Sequence, residues 1–157
     1  MRIIVGSDER TELTEAVLGE LKKRGLEIEP VGPLAGEDLQ WVDVALRVAK
    51  GVAAGEADQG LLFCWTGTGV SMTANKVPGA RAALCADAET ARGARAWNDA
   101  NILCLSLRGT SVAVAKEIID AWLRAQPDSS ERENIEKLKE FDRVRAAPVG
   151  MPVSKDR

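Results

Sequence analysis

The stretch Leu61-Leu62-Phe63-Cys64-Trp65-Thr66-Gly67-Thr68-Gly69-Val70-Ser71 carries an apolar run into a thiol and then into a Gly/Thr loop. That order places Cys64 at the carboxyl end of a buried strand. It also places exposed backbone N–H groups beside the thiol, where a helix opens. A site that must move a proton and hold a developing negative oxygen needs these two things together. A thiol becomes a usable base where a helix N-terminus stabilises its thiolate. Other polar groups end other apolar runs: Asp8 and Glu9 after Ile3-Ile4-Val5, Asp87 after Leu84-Cys85, and Ser106-Leu107-Arg108 after Leu103-Cys104-Leu105. Histidine is absent, so acid–base work falls to Cys, Asp, Glu or Lys. Without imidazole, and with Cys64, Cys85 and Cys104 scattered, no metal-ligand spacing arises. Cys85 and Cys104 have no Gly/Thr loop behind them and read as core packing.

The elements that must position these groups alternate between strand and helix. Residues 2–7, 26–31, 60–64, 82–85 and 102–106 read as strands. Helical spacing recurs in Leu13, Val17 and Leu21, in Val44, Val48 and Val52, over 70–76, from Asp87 to Trp97, and in Val112, Ala115, Ile119 and Trp122. Ser130 and Glu133 have capping-box spacing for a last helix with Ile135, Leu138 and Phe141 on one edge. This order predicts an α/β, Rossmann-like three-layer sandwich: a five-stranded parallel sheet with helices on both faces. The narrow apolar edge of the last helix fits either its own domain or a partner chain at a dimer interface. Residues 1–146 read as one domain and 147–157, with two prolines and a glycine, as a flexible tail. In such sheets ligands bind outside the carboxyl ends of the strands, where Asp8, Cys64, Asp87 and Arg108 fall.

Composition excludes several classes. The 157 residues suffice for one well-formed core. A net charge of -3 argues against a general nucleic-acid surface. No apolar run is long enough to cross a bilayer, and Met1-Arg2-Ile3-Ile4-Val5 is too strand-like for a signal peptide, so a cytoplasmic protein with no membrane partner is expected. A dinucleotide site fits poorly, because the Gly-rich loop follows the third strand and lacks the full spacing.

Several blocks in order resemble the type B ribose-5-phosphate isomerase and galactose-6-phosphate isomerase family. They are Gly6-Ser7-Asp8, the Cys64–Ser71 loop, Ala74-Asn75-Lys76-Val77-Pro78-Gly79, Arg81–Cys85, Asn98-Asp99-Ala100-Asn101 and Arg108. The resemblance implies a cofactor-free aldose–ketose isomerase acting on a small sugar or sugar phosphate through a cis-enediolate. It implies that Cys64 is the carbon-proton base, since the alternative Glu of another branch is Val70 here. It implies a catalytic set of Cys64, Thr66, Asn98 and the Gly67, Thr68 and Gly69 amides. Asp8, Glu9, Ser71, Arg108, Trp65, Trp97, Trp41 and Arg132 are the implied substrate contacts. A homodimer or dimer of dimers, with sites built across the interface, is also implied.

The departures are specific. Glu9 stands where the family carries a His, and Trp97 where it carries the His that opens the sugar ring. Trp65 replaces a Gly, Trp41 a Tyr, and Arg132 is the one cation in Ser129-Ser130-Glu131-Arg132-Glu133-Asn134. Arg10 and Arg132 are candidate replacements in a rebuilt anion pocket, and Glu9 and Glu131 would repel a dianion they faced. A substrate that cannot close a stable ring, such as a four-carbon sugar 4-phosphate, needs no ring-opening acid. Trp65 and Trp97 either reduce the pocket volume or stack on a sugar face. Asp8 or Glu9 is the candidate to carry the proton between the two oxygens. Asp8 could instead cap the first helix, Asn98-Asp99 could be a plain helix-ending turn, and Glu9 a first-turn carboxylate. A non-catalytic sugar-binding or partner subunit, and an epimerase using the same enediolate, are the rival functions.

Overall fold

The computed structural model describes residues 1–146, with side chains through Asp142; the expected tail at 147–157 lies outside the described residues. Five strands, β1 (Arg2–Ser7), β2 (Glu27–Val31), β3 (Gln59–Cys64), β4 (Ala82–Leu84) and β5 (Ile102–Ser106), pair in parallel in the order β2-β1-β3-β5-β4. Parallel pairing requires helical crossovers, which cover both faces, so the central strands are apolar along their whole length. β1 and β3 are buried almost throughout.

The helices are α1 (Glu12–Lys23), α2 (Trp41–Ala53), α3 (Thr68–Ala74), α4 (Ala88–Asn98), α5 (Val112–Arg124) and α6 (Arg132–Ala146). The side chains of the strands alternate between two cores. Ile3, Val5, Leu61, Phe63, Leu103 and Leu105 pack with residues of α1, α4 and α5. Ile4, Leu62, Cys64, Ile102 and Cys104 pack with Val44, Val48, Val70 and Ala74 of α2 and α3. Trp122 is core, as its spacing predicts, with its Nε1–H donated to Gln59 Oε1 at 2.8 Å. The outer edge of β4 is occupied by the Asn75 amide, which donates to the Ala82 carbonyl at 2.8 Å and accepts its N–H at 2.9 Å.

Two local expectations differ from the structure. Thr11 caps α1, in a reciprocal pair with Thr14, so Asp8 does not cap that helix. The Ser130/Glu133 box does not form: Asp128 binds the N–H and hydroxyl of Ser130 in a 3-10 turn (Ser129–Glu131), and Glu133 pairs with Lys137. An aspartate two residues upstream outcompetes the box because its charged oxygen is the stronger acceptor. On α6, Ile135 is buried while Leu138 and Phe141 stay exposed.

Close approach of α2 to the sheet depends on Gly6 and Gly60, where a Cβ would lie 2.6 Å from Val44 Cγ1 and 2.8 Å from Val48 Cγ1. Gly6→Ala is expected to cost about 1–3 kcal/mol by overpacking, read as a lower denaturant midpoint; an unchanged midpoint would show that α2 moves freely.

Candidate active site

The carboxyl ends of β1, β3 and β5 bring three groups into one row. Ser7 pairs with Phe63 and Cys64 with Ser106, so Asp8, the next residue on β1, comes level with Cys64. Gly6 faces α2, and the alternation of the strand turns Asp8 to that same side, which is also the side of Cys64. Cys64 sits at the rim of the core at 6% exposure, against 1% for Cys85 and 0% for Cys104. Burial pushes the Cys85 thiol up to about 12, with Asp87 adding to the effect, and pushes Cys104 higher still. Both stay neutral, as core thiols should.

The loop after Cys64 is fixed by main-chain bonds. The Cys64 carbonyl accepts the Gly67 N–H at 3.2 Å and the Leu107 N–H at 3.0 Å. The Trp65 carbonyl accepts the Arg108 N–H at 3.0 Å and the Ser106 hydroxyl at 2.9 Å. Gly67 has φ +75°, and a Cβ there would meet Leu84 at 2.5 Å and the Leu105 backbone at 3.0 Å, so only glycine fits. Because its N–H is committed to Cys64, Gly67 supplies the turn and not an amide for an oxyanion. The amides at the opening of α3 are those of Thr68, Gly69 and Val70, which have no acceptor a turn earlier in the helix. Sequence reasoning missed Val70 in this role because it placed the helix start at that residue, two residues late. The Thr66 and Thr68 hydroxyls are 2.6 Å apart. Trp41, at the start of α2, packs against Gly69, where a Cβ would be 3.1 Å from the indole.

Around this row Trp65 is 56% exposed and Arg108 is exposed. Burial raises the pKa of Asp8, helped by the neighbouring Glu9, and its Oδ1 is buried without a partner among the described residues. Glu9 is exposed, its N–H and carbonyl both bonded to the Ser7 hydroxyl. Arg10 is turned to Glu15 at 3.0 Å and to the Leu34 carbonyl at 2.8 Å. Ser71 is half-buried, and its side chain lowers the Cys104 thiol pKa against the larger effect of burial. Ser106, whose hydroxyl also accepts the Gly109 N–H at 2.9 Å, was placed by sequence at a strand end without a role; the structure makes it the clasp of the loop.

Three candidates lie elsewhere. Trp97 and Asn98 end α4, just before β5 begins, and Arg132 opens α6 next to them in the fold. β5 has five residues and spans roughly 15 Å at about 3.3 Å each. Within one chain, therefore, Asn98 and Cys64 sit at opposite ends of the sheet. Trp97 is 47% exposed and lies on Gly93, where a Cβ would clash at 2.6 Å, with the Arg92 guanidinium 5.2 Å from its ring centre. Asn98 borders a cleft of about 300 Å³ with Arg81, Leu138 and Phe141. Among the described residues no helix is long and apolar enough to cross a membrane.

The chain is similar to known isomerases. The ribose/galactose isomerase family profile matches residues 3–140. The chain is 40% identical over 114 residues to ribose-5-phosphate isomerase B of Escherichia coli, covering 73% of this chain and 76% of that one. It is 36% identical over 128 residues to D-erythrulose-4-phosphate isomerase of Pectobacterium atrosepticum, covering 80% and 84%. The structure of Clostridium thermocellum ribose-5-phosphate isomerase B superposes with a TM-score of 0.86 at 38% identity, covering 93% of this chain and 100% of that one.

Gly69→Ala is expected to displace the Trp41 indole. The readout is the Trp41 component of tryptophan emission, obtained by subtracting the Trp41→Phe spectrum; an unchanged component would show that the loop accepts a Cβ.

Proposed function

The chain belongs to the ribose/galactose isomerase family and is an aldose–ketose isomerase, and we propose that it works on a short sugar phosphate with Cys64 as the base. The observation that carries this is the strand-end thiol at the rim of the core, in one apolar cluster with Val70 of α3, while its carbonyl holds the Gly67 N–H that leads into that helix. The Cys64 thiolate takes a proton from the carbon beside the carbonyl, and the electron pair moves onto the carbonyl oxygen as a cis-enediolate. The Thr68, Gly69 and Val70 amides hold that oxygen, donors fixed before the charge develops. The same thiol returns the proton to the neighbouring carbon. The hydroxyl proton passes between the two oxygens through Asp8, whose unpartnered buried Oδ1 and raised pKa suit it better than the exposed Glu9. Arg108 attracts the anionic end, and Thr66, Trp65 and Trp41 line the mouth.

Asn98, Trp97 and Arg132 reach this cleft from a second copy of the chain. Their placement at the far end of the sheet supports that reading. So does the flank they share, where Met72, Leu84, Trp97, Leu138 and Phe141 expose large apolar surface. A homodimer or dimer of dimers then carries two composite sites per pair. The Trp97 indole N–H is far too weak an acid to protonate a ring oxygen, and no histidine exists to do so. The substrate accordingly enters open-chain, which a four-carbon sugar 4-phosphate must be.

Cys64→Ala and Asn98→Ala are each expected to lose turnover by about 10²-fold or more with the fold retained. A one-to-one mixture refolded together should regain about a quarter of wild-type activity, because half the dimers pair one intact site. Activity in Cys64→Ala would remove the proposed base, and no recovery on mixing would remove the shared site. In a panel of tetrose, pentose and hexose sugars with and without phosphate, the four-carbon phosphate is expected to turn over fastest; turnover of ribose 5-phosphate alone would rule out the short substrate.

A further inference from the structure

Asp99 follows Asn98 as the C-cap of α4 and holds a left-handed backbone at φ 47°, the one non-glycine residue with positive φ among the described residues. Its carboxylate collects three cations from three elements. Arg81, just before β4, reaches Oδ2 at 3.1 Å and also donates Nε–H to the Asp99 carbonyl at 2.7 Å. Arg95 of α4 lies 3.5 Å from Oδ1, and Lys139 of α6 lies 3.1 Å from Oδ2. These are not loose surface pairs. Arg95 is 8% exposed, donates to the Ala100 carbonyl and stacks on the core Trp122 at 5.5 Å. Arg81 and Asp99 are half-buried, and the Arg81 N–H is itself bonded to Asn101 Oδ1 at 2.7 Å. A continuous chain of contacts thus runs from the core through Arg95 and Asp99 to α6. Asn98 hangs directly from its anchor point, and Leu138 and Phe141 project from the helix that Lys139 ties down.

We propose that Asp99 is a positioning residue for the reaction: its carboxylate fixes Asn98 and α6 in the orientation that the cleft of a second copy requires. This rests on the reading that Asn98 acts across the dimer. The backbone conformation makes the position selective, because Asp, Asn and Gly tolerate the left-handed region while other side chains resist it. Only Asp adds the charge that holds Arg81, Arg95 and Lys139 together. The bland alternative, a stability-only cluster, predicts the same folded protein but a different kinetic behaviour.

Asp99→Asn keeps the backbone preference and the side-chain shape and removes the charge. It is expected to lower kcat about tenfold with KM changed less, in a protein of unchanged dimer mass. Asp99→Gly, which also accepts the left-handed backbone, is the second variant and should show the same loss. The deciding readout is complementation: mixed dimers of Asp99→Asn with Cys64→Ala contain one site with an intact thiol and a correctly held Asn98, so activity should rise above that of either parent. A lower thermal midpoint with unchanged kcat would assign Asp99 to stability alone and overturn the proposal. A kcat loss that Cys64→Ala subunits do not complement would also overturn it. The Cys64→Ala and Asn98→Ala mixture is the control: if that pair fails to complement, the shared site fails; if it complements and the Asp99 pair does not, the positioning role alone fails.

Discussion

Two N–H groups converge on the carbonyl of Cys64, one from Gly67 in its own loop and one from Leu107 beyond the neighbouring strand. Most of the site depends on that carbonyl. The Gly67 bond closes the turn that leads into α3. The Leu107 bond, with the paired bonds to Trp65, locks the end of β3 against the end of β5. Neither bond uses a side chain. The geometry is therefore held by groups that no substitution except proline can remove.

The same sheet treats its three thiols differently, and depth is the cause. Cys104 lies in the middle of β5 with core on every side, and Cys85 lies just past β4 against the α1/α4/α5 layer. Desolvation keeps both protonated. Cys64 shares a core with Cys104 but is the last residue of its strand, so one side of it meets the loop. Asp8 stands level with it, one residue past the end of β1. Strand length and register thus bring a thiol and a carboxylate level with each other, without a dedicated insertion.

The cost of building a site at one end of a parallel sheet is that α4 delivers its last residues to the other end. α4 runs antiparallel to the strands, so Trp97 and Asn98 emerge where β5 starts. In the dimer proposed above, a twofold axis would supply the missing end without new chain, since each copy would offer the end the other lacks. Asp99 ties that end to Arg81, Arg95 and Lys139.

Much was written in the order of residue types. Alternating apolar runs and helical spacings determined the five-stranded parallel sheet, because burial on both faces admits no other pattern there. The Cys64–Ser71 block and the ordered blocks around it pointed to the isomerase family to which the chain belongs. What sequence could not supply were choices between competing local partners. Asp128 rather than Glu133 holds Ser130, Thr11 rather than Asp8 caps α1, and the Gly67 amide goes to Cys64 while α3 opens at Thr68. Each of these turns on angstrom-scale placement of groups that look equivalent in a string. The distance between Asn98 and Cys64, and the gathering of Arg81, Arg95 and Lys139 on Asp99, were decided only by tertiary structure, since segments far apart in the chain meet only after the sheet has ordered them.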